Sequence, residues 1–136
     1  MCIRDSPYKK AKTLYKIALE FKARGRKSTA RSYANKALGY QPSLGKAYLM
    51  LASLYASSAN DCGNTQFEKR AVYWLAAKTA RKAGRVDASL KKNAEKSAKS
   101  YEGRAPSKTD IFTEGNAGTT IKFDCWVKGS VTVPNL

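Results

Sequence analysis

The side chains best suited to chemistry in this 136-residue sequence are two cysteines and a large set of lysines. Cys62 lies in the polar loop NDCGNTQ and Cys125 in the alternating stretch TTIKFDCWV. A disulfide between them would close a loop of about 60 residues, worth roughly 4 kcal/mol on the chain-entropy estimate, and would imply an oxidising compartment such as the bacterial periplasm. The other reading leaves Cys125 as a buried thiol and Cys62 as an incidental loop residue, which suits a cytoplasmic protein. Cys2 belongs to the opening MCIRDS, which looks like a translated adapter remnant, so residues 1–6 are expected not to be native.

Acid-base and metal chemistry find few residues to use. The sequence has no histidine, which removes the commonest general base, the Ser-His and Cys-His pairs and most zinc sites. Two cysteines cannot supply the four thiolates of an all-sulfur zinc site. Glu68, Asp87 and Glu95 share no obvious face. The glycine-rich Gly115–Gly118 lacks the preceding strand and the lysine of a phosphate loop, so it reads as a turn. No catalytic residue, metal or cofactor is expected.

The cationic residues are more telling. Lys and Arg number 26 against 10 Asp and Glu, a net charge of +16. Between Pro7 and Arg104 the count is 22 against 6, and from Ala105 onward 3 against 3. The excess therefore sits on one part of the chain, either solvating outer helix faces or forming a surface for something acidic.

That part of the chain is helical by its periodicity. Leu14, Ile17, Ala18 and Phe21 follow the i, i+3, i+4, i+7 rule of one helix face, and Gly25 ends that helix. Ala30, Tyr33, Ala37 and Leu38 mark a second, which Pro42 closes. Tyr48, Leu51, Ala52 and Tyr55 then repeat the first set at an offset of 34 residues. The end of the next helix at Val86–Ala88 matches Tyr40–Pro42 only at an offset of 46, so an insertion of twelve residues near 60–71 carries the cysteine loop. A third unit opens at Lys91 with Ala94, Ala98 and Tyr101 and stops at Gly103 and Pro106.

With its 34-residue period, the pattern resembles the tetratricopeptide repeat family. The expected organisation is helical units at 11–44 and 45–90, a capping helix at 91–103, the whole repeat region at 7–105, and a β-hairpin cap at 106–136. The fold class is mainly α, an antiparallel helix-pair solenoid. The position-eight glycine of the family is Ala18, Ala52 and Ala98 here, and the large residue at position four is Leu14, Tyr48 and then only Ala94. The inserted loop, FEKRAVYWLA and the CW-containing tail together resemble a group of bacterial tetratricopeptide proteins.

After Pro106 the helical spacing gives way. Ser107–Phe112 is expected to make one short turn. Thr119–Val127 then alternates with a period of two and reads as a strand, Lys128–Ser130 as a turn, and Val131 and Val133 as a second strand. A lone hairpin is marginal in water, so this one is expected to cover the helices around Tyr73, Trp74 and Tyr101. No stretch approaches the roughly 20 apolar residues of a membrane span; the longest candidate, Ala47–Ala59, is broken by serines.

The family resemblance implies a concave groove lined by the first helix of each unit. Its positions here are Lys12, Tyr15, Leu19 and Lys22, then Lys46, Leu49 and Ser53, then Lys92, Lys96 and Lys99. Leu19 and Met50 stand where clamp-type members carry carboxylate-orienting asparagines, so that specific clamp is not expected. Cations around Tyr15, Leu19 and Leu49 suit an acidic peptide or protein segment with an apolar anchor. Two other readings follow from the same residues: sequence-tolerant nucleic-acid binding, with Tyr15, Tyr33, Tyr48 and Tyr73 among the lysines, and a structural subunit of a cell-envelope assembly.

Overall fold

The computed structural model describes residues 7–123 and 125–135; the leader at 1–6 and Asp124 lie outside them. Six α-helices occupy most of the described chain: α1 (Pro7–Ala23), α2 (Lys27–Tyr40), α3 (Gly45–Ser57), α4 (Gln66–Val86), α5 (Lys91–Glu102) and α6 (Lys108–Glu114). The strands β1 (Thr120–Lys122) and β2 (Ser130–Thr132) follow and pair antiparallel, Ile121 opposite Val131.

Each helix end has a local cause. Gly25 takes φ 79°, donates its N–H to Lys22, and lets Arg26 reach back to Phe21 at 2.9 Å, the paired bonds of a Schellman stop. α4 starts where the Thr65 hydroxyl accepts from the Glu68 N–H. α6 starts at a full capping box between Ser107 and Asp110 and ends at Gly115 in the left-handed region, so the expected short turn is a two-turn helix.

Alanine sets how closely the helices pack. Ala30, Ala34 and Ala37 of α2 are fully buried, and so are Ala76, Ala80 and Ala83 of α4, 46 residues on. The turns after them repeat too. Gln41 N–H bonds Ala37 O at 2.9 Å and Asp87 N–H bonds Ala83 O at 3.0 Å; Leu44 bonds Gln41 and Leu90 bonds Asp87, both at 3.0 Å. Ala18, Ala52 and Ala98 are buried as well. Gly45 has no such latitude, since a Cβ there would stand 2.8 Å from Leu90 Cδ1 and 2.9 Å from Ala83 O. The helices pack in chain order, α1 on α2, α2 on α3, α3 on α4 and α4 on α5.

The carboxy-terminal strand is shorter than its alternation suggests. Pairing stops after Lys122, Phe123 makes one more bond to Gly129 O, and Cys125–Val127 turn away. The turn serves two tertiary contacts: Cys125 forms a disulfide with Cys62, their Cα atoms 5.2 Å apart, and the Trp126 Nε1–H donates to Ser58 Oγ at 3.0 Å. The covered surface also differs in part from expectation. Tyr73 and Trp74 do pack against the cluster holding Phe123, Val127 and Val131, but Tyr101 packs with Ala52, Ala77, Ala80 and Ala98. Instead the tail reaches back to α2, where Arg31 Nη1 donates to Val127 O at 2.6 Å and its guanidinium lies over the Trp126 ring.

Candidate functional site

The positions drawn from the repeat template fall on one face of each helix that carries them. On α1, Lys12 and Leu19 are exposed, Leu19 at 38%. Tyr15 is half-buried against the cluster of Ala18, Met50 and Leu54, and burial pushes its phenol above the ordinary value. Lys22 crosses to α3, its Nζ donating to Ser53 Oγ at 3.1 Å. On α3, Lys46 is exposed while Leu49 lies half-buried against Ala52, Ala98 and Tyr101. Met50, at one of the clamp positions, is buried at 4% exposure, so it cannot face a ligand.

The α1 and α3 faces are thus joined directly. Lys92, Lys96 and Lys99 of α5 are exposed on the side away from buried Ala94 and Ala98. Together with Ala88, Lys91 and Glu95 they border a shallow cleft of their own, which takes in no residue of α1 or α3.

The structure adds a recess that periodicity did not reveal. Starting at Ser53, a cavity of about 430 Å³ runs between the carboxy-terminal ends of α3 and α5, bordered by Ala56, Asn60, Tyr73, Tyr101 and Arg104. The Arg104 guanidinium sits 5.9 Å over the Tyr73 ring. Burial raises the Tyr101 phenol, and Arg104 acts against it. No carboxylate borders this recess.

Three carboxylates are paired with arginines elsewhere. Arg81 on α4 holds Glu95 at 3.0 Å and Glu102 at 2.6 Å. These two carboxylates do share a face of α5, seven residues apart, a spacing visible in the sequence once the helix is placed. The guanidinium's hydrogen bonds draw both below the ordinary carboxylate value, so neither is a proton donor near neutral pH. Arg70 pairs with Asp110 at 3.0 Å and also donates to the carbonyls of Arg104 and Ala105, tying α6 to α4. Asp110 is lowered chiefly by its Ser107 hydrogen bonds. Among the described residues, no group of three or more His, Cys, Asp and Glu could hold a metal ion, and no helix is long and apolar enough to cross a membrane.

No family model, curated protein or solved structure matches this chain.

Proposed function

We propose that the chain is a tetratricopeptide-like, non-catalytic interaction module whose α1 and α3 faces, flanked by α5, bind an acidic segment of a partner protein. The observation that carries this reading is the Lys22–Ser53 bond, which joins two faces where exposed cations surround Leu19, Tyr15 and Leu49. The recurrence of buried alanines and turn hydrogen bonds at a 46-residue offset supports the repeat. Long cations at a rim steer an anionic partner, and the apolar side chains between them give it an anchor. The Cys62–Cys125 disulfide favours an oxidising compartment, with the periplasm as our proposal.

The test is fluorescence polarisation with a labelled peptide of alternating Glu and Leu. Lys12→Glu, Lys46→Glu and Lys92→Glu combined should weaken binding at least tenfold, a change of about 1.4 kcal/mol, with the thermal midpoint kept. Undiminished affinity contradicts the reading.

A further inference from the structure

At about 100° per residue, Tyr48, Leu51 and Tyr55 fall on the side of α3 opposite Lys46, Leu49 and Ser53. They floor a second cleft, of about 500 Å³, closed by Leu75 and Val86 of α4 and by Asn35 of α2. Its size is within the range of small-ligand sites.

The wall of this cleft is cationic. Lys78, Lys82 and Arg85 stand at i, i+4 and i+7 on α4, and no carboxylate borders the cleft. Among the described residues none of the three belongs to an ion pair; Lys82 rests on the Tyr48 ring at 5.1 Å. Like charges one turn apart destabilise a helix by a few tenths of a kcal/mol per pair, which the Tyr48 ring under Lys82 and the place of Arg85 in the last turn of α4 offset in part. Three charges span seven residues, about 10 Å of helix.

Donors complete the lining. The Asn35 amide and the Tyr48 hydroxyl can donate. Burial raises the Tyr55 phenol above its ordinary value, against the nearby Arg31 charge, so its O–H stays protonated and can donate. Thr79 already donates to Leu75 O at 2.8 Å.

We propose that this cleft binds closely spaced phosphate groups joined to a flat organic base, as a nucleoside polyphosphate or a nucleic-acid strand presents. A phosphate chain places several negative charges within the reach of three adjacent cations, whereas isolated carboxylates do not. Lysine serves phosphate well as a point charge, and the aromatic and leucine floor suits a base or sugar. The site is separate from the acidic-segment face and does not depend on that reading.

Calorimetric titration of the full chain at about 0.15 M salt, with ATP and separately with a ten-residue oligothymidylate, tests the proposal. Lys78→Gln, Lys82→Gln and Arg85→Gln combined should lose at least tenfold in affinity, and single Lys82→Gln should lose part of it. A charge-matched control, Lys16→Gln, Lys108→Gln and Lys122→Gln, should lose less than twofold. ATP binding that follows this pattern identifies a free polyphosphate as the source, and oligonucleotide binding that follows it identifies a strand. Equal losses in both variants, or no binding of either probe, overturn the proposal.

Discussion

Arg81 ties two carboxylates to the protein's response to acid. Its guanidinium contacts Glu95 and Glu102, both of which it holds below their ordinary value of 4.5. A carboxylate depressed in the folded state contributes stability that is complete above its unfolded pKa and is lost as pH falls through the folded one. The window therefore opens just below pH 4.5 and extends downward. Thermal melts at pH 7 and pH 3 should show wild type losing more than Arg81→Met, which has no such linkage to lose. Equal losses would mean the pairs contribute nothing beyond what solvent screens. Arg31 works differently: its contacts to Val127 O and the Trp126 ring hold the tail against α2.

At the scale of elements, the tail depends on the Cys62–Cys125 bond, whose partners are 63 residues apart. Loop closure of that length is worth about 4 kcal/mol. Cys62→Ala with Cys125→Ala should lower the urea-unfolding free energy by a large part of this, and a change under about 1 kcal/mol would show that the helices hold the tail without it. Much of the helical architecture was legible in the sequence, because apolar spacing fixes α1 to α5, and the twelve-residue insertion falls where the loop and the start of α4 lie. The strand was legible only in part. Alternation marks Ile121, Phe123 and Val127 as inward but misses Trp126, which packs inward too, and pairing ends at Lys122 because Cys125 and Trp126 must reach Cys62 and Ser58, partners that local pattern does not reveal. The repeat template put Lys22 and Ser53 among the groove positions but gave no sign that they bond to each other, and the cation-lined cleft needed α2, α3 and α4 brought together before Lys78, Lys82 and Arg85 could be read as a set.

At the scale of the whole molecule, one sign of charge dominates. Lys and Arg number 26 against ten acids, and Glu95, Glu102 and Asp110 are engaged by arginines, so the helices carry a net positive field. Such a field raises encounter rates with anionic partners and weakens with salt, but it does not choose where a partner lands. The apolar side chains among the lysines make that choice. Amide chemical shifts of the labelled protein, followed while the Glu-Leu peptide is added, test this most directly. The account predicts saturable shifts at Lys12, Tyr15, Leu19, Lys22, Leu49 and Ser53. Shifts spread evenly over all exposed lysines, or confined to Tyr48, Lys78, Lys82 and Arg85, would contradict it.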